Sequence, residues 1–249
     1  MAFQFAVSPD FAADRIGQWF LFNTWLQRQI GANIHLGIPA DFAELRSSLR
    51  GDRLDLLYAN PFDLAVAVRE LGFTPIAAPV ARADEAAVVV RADSEIHSVK
   101  DLRTPPRVVC TDAPDVEFIG RILLEPSGLE RNTITVRQRP SYVVVAKELL
   151  AGTADVGFFL RRSFDELSEL TRANLRVIGT SHIYVVRHAL LAGPRLAERR
   201  GDILSALLGM AESDKGRGLL DELGLVEGWK EMTPDEAEFL IDLMETLID

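Results

Sequence analysis

The chain alternates apolar and polar positions from its third residue. "FQFAVSP" (3–9) reads as a strand that breaks at Ser8-Pro9. From Phe11 to Ile30 the apolar spacing changes to the helical period, with Ile16, Trp19, Phe20, Phe22, Leu26 and Ile30 on one face and Gly31 as the stop. "NIHLGIP" (33–39) predicts a second strand, and "ADFAELRSSLRG" a short amphipathic helix closed by Gly51. "LDLLYANP" (54–61) is apolar on both faces, the pattern of a strand buried within a parallel sheet. A helix over 62–71 ends at Gly72 and is followed by the strand "TPIAAPVA". Strands and helices alternating in this way predict an α/β sheet with right-handed crossovers.

The same rhythm then restarts. Strands are predicted at 86–94, 107–112, 133–138 and 154–160, with a helical turn over 98–103 and helices after Pro114 and Ser141. "LRVIGTSHIYVVRHAL" (175–190) holds one or two more strands, and 194–213, 214–223 and 233–248 read as helices. The pattern predicts two α/β units and a helical tail.

Charge and composition narrow the chemistry. Asp plus Glu outnumber Lys plus Arg by 37 to 27 over 249 residues, a net charge of −10, which repels a nucleic-acid backbone. The basic pairs Arg161-Arg162 and Arg199-Arg200 carry no aromatic interleaving, so no nucleic-acid partner is expected. One cysteine excludes an internal disulfide and a thiolate zinc cluster. The four histidines lack metal-site spacing, and neither a metal nor a cofactor is expected; His182 and His188 read as structural. No apolar run approaches the roughly 20 residues that span a bilayer. The first residues carry no basic, apolar and small-residue succession, so the chain as written is expected in the cytoplasm, or in the periplasm if it is a processed form.

Four segments, in order, resemble the solute-binding proteins of phosphate/phosphonate/phosphite-type ABC transporters. They are "DFAELRSSLRGDRLDLLYANPFDLAVAVRELGFTPIAAPV" (41–80), "DSEIHSVKDLR" (93–103), "ELLAGTADVGF" (148–158) and "ILSALLGMAESDKGRGLLDELGL" (203–225). The resemblance implies an α/β, two-lobed type 2 periplasmic-binding-protein-like fold, each lobe a mixed sheet flanked by helices, with a helical C-terminal tail. It places lobe 1 at 1–82 plus 187–249 and lobe 2 at 83–186, with hinge crossings near 82–87 and 181–187. A small-molecule ligand is expected in the interlobe cleft, at the carboxyl ends of strands, and an ABC permease or a sensor kinase or receptor as partner.

Strand-end corners then supply the expected ligand contacts: Ser8, Tyr58 and Asn60; Cys110, Thr111 and Asp112; Ser141 and Tyr142; and Phe158. Each has a plainer reading, as helix cap, turn or core. At "VVCTDAPDVEF" (108–118) the chain departs from its relatives, which carry a Ser/Thr- and Gly-rich oxyanion turn there. Here Asp112, Asp115 and Glu117 stand instead, so the expected ligand is cationic, zwitterionic or neutral and polar rather than a simple phosphonate. As first-turn acids, Asp115 and Glu117 are also candidate helix caps. Cys110 raises the narrower idea of a thiophilic oxyanion. The function expected is non-catalytic solute binding or ligand sensing. The alternatives are an enzyme on the same fold, for which Cys110, Asp112 and Tyr142 are the candidate groups, and a ligand-free interaction scaffold.

Overall fold

A computed structural model describes residues 2–11, 15–130 and 133–248. The chain divides into two compact units. Unit 1 is Met1–Ala83 with Val186–Asp249, and unit 2 is Asp84–Val185.

Unit 1 begins with β1 (Phe3–Val7), α1 (Ile16–Ile30), β2 (Ile34–Gly37), α2 (Phe42–Arg50), β3 (Leu56–Ala59), α3 (Pro61–Ala65) and β4 (Thr74–Pro79). β1 pairs in parallel with both β2 and β3, as the crossovers require. β3 is buried at all four positions, in keeping with its two-faced apolar sequence. α1 ends where Gly31 takes a left-handed φ of 60°, a conformation glycine adopts without a Cβ penalty. Its buried face runs through Trp19, Phe22, Leu26 and Ile30 as the spacing predicts, but also takes in Asn23 and Trp25. Ile16 and Phe20, expected on that face, are exposed at 37% and 48%. Phe11 lies before the helix, and positions 12–14 of the predicted element fall outside the described residues.

Unit 2 follows with β5 (Ala86–Arg91), β6 (Val108–Thr111), α4 (Pro114–Leu123), β7 (Val136–Arg139), α5 (Tyr142–Leu150), β8 (Val156–Leu160), α6 (Arg161–Asp165), α7 (Glu169–Ala173) and β9 (Leu175–Thr180). Its sheet has the order β7-β6-β8-β5-β9. β6 is parallel to β7 and β8, whereas β5 runs antiparallel to β8 and β9. Ala87, Val89, Val109 and Phe159 form a core on one face with Val145, Ala146 and Leu149 of α5. The predicted turn at 98–103 is a short 3-10 helix, closed by a reciprocal Ser98–Asp101 capping box.

The chain returns to unit 1 as β10 (Ala189–Ala192), α8 (Arg200–Leu208), α9 (Asp214–Leu223), β11 (Trp229–Glu231) and α10 (Pro234–Ile248). β10 inserts antiparallel between β3 and β4, and β11 pairs antiparallel with the outer edge of β4. The sheet order is therefore β11-β4-β10-β3-β1-β2. Both sheets are mixed, and helices flank them. β11 falls in the gap between the predicted helices 214–223 and 233–248; at three residues it is too short to show a period in sequence. Among the described residues no helix is long and apolar enough to cross a membrane.

Charged clamps fix the segments where the chain changes unit. Glu85 accepts hydrogen bonds from Ser181 Oγ, from Ile183 N–H at 3.1 Å and from Tyr184 N–H at 2.7 Å. Ala81 and Tyr184 both hold left-handed φ angles, of 50° and 60°. For a residue with a Cβ this costs of order 1–2 kcal/mol, so the surrounding bonds must impose it. We expect Glu85→Gln, which removes the charge from a carboxylate with three donors, to cost about 2 kcal/mol in urea unfolding.

Unit 2 also ties β7 to α5, and the start of β6 to the start of β8, through acids held below their ordinary range. Arg139 and Arg137 lower Glu148, and Arg107 lowers Asp155. A lowered carboxyl contributes stability above its unfolded value and loses it as pH falls through its folded value. Acid titration below the ordinary 4.5 and 3.8 of these two groups should therefore weaken unit 2. The expected observation is progressive loss of hydrogen-exchange protection in β6, β7 and α5.

Candidate functional site

In unit 1 a polar cluster is buried at the ends of three adjacent strands. β1 and β3 are in register with Val7 opposite Tyr58, and Ser8 N–H donates to the Tyr58 carbonyl at 2.9 Å. Ser8 and Asn60 thus leave neighbouring parallel strands one and two residues beyond that pair. β10 runs the other way with Ala189 opposite Ala59, which delivers His188 to the same end. The His188 ring stacks on Tyr58 with centroids 5.1 Å apart. His188 Nε2 lies 2.9 and 3.0 Å from the two Asp10 carboxylate oxygens. Trp19 and Trp229 pack around Tyr58 at 4.8 and 5.9 Å between centroids, closing it in apolar surroundings.

The hydrogen bonds in this cluster do not close. Asn60 caps α3: its Oδ1 accepts from Asp63 N–H at 2.8 Å. Asp63 in turn binds Arg46 Nε at 2.6 Å. Burial drives the Asp63 carboxyl above its ordinary value against the opposing pull of Arg46. Ser8 and Asn60 are both fully buried, yet Ser8 Oγ and Asn60 Nδ2 have no hydrogen-bond partner. Each unmade bond of this kind costs about 1–3 kcal/mol. The two lie at neighbouring strand ends and mark a place where stability is given up.

Unit 2 treats its predicted residues differently. Cys110 and Phe158, expected to touch a ligand, are core residues with no exposed surface. Phe158 alternates with the core residue Phe159 and faces α4; a Cβ added at Gly120 would sit 2.4–2.7 Å from its ring. That close approach is why glycine stands at position 120. Cys110 alternates with Val109 and lies beneath the same helix, and burial, aided by the Glu117 and Asp115 charges, pushes its thiol well above the ordinary range. A protonated, inaccessible thiol is a poor ligand for a thiophilic oxyanion.

The acid corner also differs from the capping reading. Thr111 is buried at the end of β6 and Asp112 half-buried after it, while Ala113, which has no side-chain acceptor, occupies the N-cap of α4. Glu117 pairs with Arg121 four residues on, at 2.9 Å, and Asp115 is buried in the first turn. Ser141 caps α5 by accepting from Val144 N–H, and Tyr142 stacks on Phe159 at 5.6 Å. The two basic pairs are spent locally: Arg161 on Asp165, Arg162 on Asp84, Arg199 on the Ile30 carbonyl and Arg200 on the Pro75 carbonyl.

Of the nine predicted residues, Ser8, Tyr58 and Asn60 come together in unit 1. The six in unit 2 are distributed between strand ends, a helix cap and the core. Sequence reasoning missed Asp10 and His188 as partners because 178 positions separate them. Among the described residues no group of three or more His, Cys, Asp or Glu side chains could hold a metal ion.

The family model for the periplasmic substrate-binding protein of phosphonate ABC transporters matches residues 5–237. The chain belongs to this family. No curated protein matches it significantly. Among solved structures it is similar to PhnD1 from Prochlorococcus marinus in complex with methylphosphonate, with a TM-score of 0.83 and 15% identity over 99% of this chain and 98% of that one. XAC2383 from Xanthomonas citri bound to ATP gives 0.79 and 14%, covering 100% and 98%. The aliphatic sulphonate binding protein SsuA from Escherichia coli gives 0.68 and 13%, covering 98% and 92%. At these identities the structures establish the fold, and the family is one of substrate-binding proteins serving ABC transporters.

The burial of Cys110 has a direct consequence. We expect the native protein not to react with a thiol reagent such as dithionitrobenzoate over minutes, and the urea-unfolded chain to release one equivalent. Rapid native labelling would show that β6 is open to solvent.

Proposed function

We propose that the chain is the non-catalytic solute-binding component of an ABC importer, taking up a small molecule at the strand-end cluster of unit 1. The observation that carries this reading is the pair of buried, unpartnered groups on Ser8 and Asn60, beside the Asp10–His188 pair. Family membership supports the transport role and a permease partner on the periplasmic side. In the same reading, lobes corresponding to 1–82 plus 187–249 and 83–186 close over the ligand by bending near 82–87 and 181–187.

The ligand is not a simple phosphonate. In unit 2 the first turn of α4 carries Asp115 and Glu117, with Asp112 just before it, where an oxyanion would need free donors. A dianion about 4 Å from one carboxylate meets roughly 4 kcal/mol of repulsion per unit charge at an effective dielectric of 20. That is comparable to the whole free energy of millimolar binding. Binding is favoured over catalysis because the Ser8 hydroxyl makes no hydrogen bond to His188, the contact a nucleophile and its base require.

Differential scanning fluorimetry against amino acids, amines, sugars, phosphonates and sulfonates tests this directly, with hits followed by NMR for consumption. The expected result is stabilisation by an uncharged or zwitterionic compound that is recovered intact. Micromolar binding of methylphosphonate would remove the argument from the acid corner. Turnover of a hit would replace binding by catalysis.

A further inference from the structure

Resting on the solute-binding reading, we infer that the unit 1 cluster recognises an uncharged oxygen-bearing group, a hydroxyl or carbonyl, through Asn60 Nδ2 and Ser8 Oγ. The capping bond determines which end of the Asn60 amide is available. Its oxygen accepts from Asp63 N–H at 2.8 Å, so the nitrogen is the end left over. An amide nitrogen donates only, and the adjacent serine hydroxyl can donate as well. The group that Asn60 Nδ2 receives must therefore be an acceptor, and one that also meets the Ser8 donor is bound by both. An ammonium, which only donates, would gain nothing from Asn60 Nδ2.

Charge around the cluster argues against an oxyanion. Asp10 holds both its oxygens against His188, and Asp63 is engaged by Arg46. The two acids are near enough that Asp10 helps to raise Asp63. Arg46 Nη2 and Asp63 Oδ2, which lack hydrogen-bond partners, are opposite ends of one ion pair and offset each other. The cluster as a whole offers no net positive charge, even with His188 protonated. A neutral acceptor gains the Asn60 and Ser8 bonds without opposing the two carboxylates. Tyr58, enclosed by Trp19, Trp229 and His188, supplies a rigid apolar flank to the same strand end.

Because neither atom is used in the protein itself, removing them separates function from folding. Ser8→Ala deletes a hydroxyl with no partner, and Asn60→Ser retains a capping oxygen for α3 while deleting the amide nitrogen. Calorimetry and thermal shift on both variants and the parent would use ribose, glycerol and acetamide as uncharged probes. Methylphosphonate, sulfate and ethylammonium would serve as charged ones, all to about 10 mM, the range of weak contacts. The expected result is binding of an uncharged probe that falls at least tenfold in each variant. Without probe, the Ser8→Ala midpoint should stay level or rise by about 2–4 °C, the shift for relieving one buried unmet group in a chain of this size.

Binding of charged probes alone, lost in the variants, would overturn the ligand class and leave solute binding standing. Binding of uncharged probes unaffected by either variant would overturn the assignment of these two residues. No binding by any probe would overturn both the ligand class and the reading beneath it. A probe-free midpoint that drops in Ser8→Ala would show that the hydroxyl serves the fold, and would overturn the premise.

Discussion

Unit 1 depends on the insertion of β10 between β3 and β4. Ala189, Leu190, Leu191 and Ala192 are all fully buried, and each of the two leucines contributes about 1.5–3 kcal/mol by leaving water. The pairing also joins segments far apart in sequence, since it seats residues after Val186 between two strands that precede Ala83. Its antiparallel direction matters as much as its burial. A strand running the other way would carry His188 to the opposite end of the sheet, away from Tyr58, Asn60 and Asp10. The strand that completes the core thus also completes the polar cluster.

Elements governed by local periodicity could be read in the sequence. The alternation of "FQFAV", the two-sided apolar run of β3 and the glycine stop after α1 all give the elements they predict. Features governed by distant pairing could not. β11 is three residues long and exists because the edge of β4 accepts it. Phe20 obeys the helical period yet stays exposed, since its neighbours Trp19 and Phe22 already fill the contact with Phe5 and Tyr58. His188 could be weighed only as an isolated histidine until the register of β10 set it beside Asp10. Phe158 and Cys110 show the same limit in unit 2. They lie in fully buried apolar strands, where sequence cannot tell a residue facing a helix from one facing a ligand.

The acid corner of α4 is explained more by what it lacks than by its charge. Neither Asp115 nor Glu117 serves as the N-cap, and Glu117 is directed along the helix to Arg121. Pro114 at the first helical position removes one of the N–H donors that an oxyanion at a helix N-terminus would use. A corner with a proline in place of a donor, and carboxylates in place of hydroxyls, loses both the hydrogen bonds and the field that favour an anion. Membership of a phosphonate-binding family describes the scaffold of this chain and leaves the chemistry of its ligand to individual side chains.

The contrast with the polar clamps of unit 2 points the same way. There Glu85 collects three donors, Asp155 takes the Arg107 fork and its backbone N–H, and Ser98 and Asp101 cap each other. Ser8 and Asn60 are more deeply buried than any of these and remain open. Folding alone would favour alanine at position 8, and serine at position 60 would cap α3 equally well. Their persistence in an unsatisfied form is accounted for if the missing partner arrives from outside the chain, because a group satisfied only in the complex costs stability when empty and returns it as affinity.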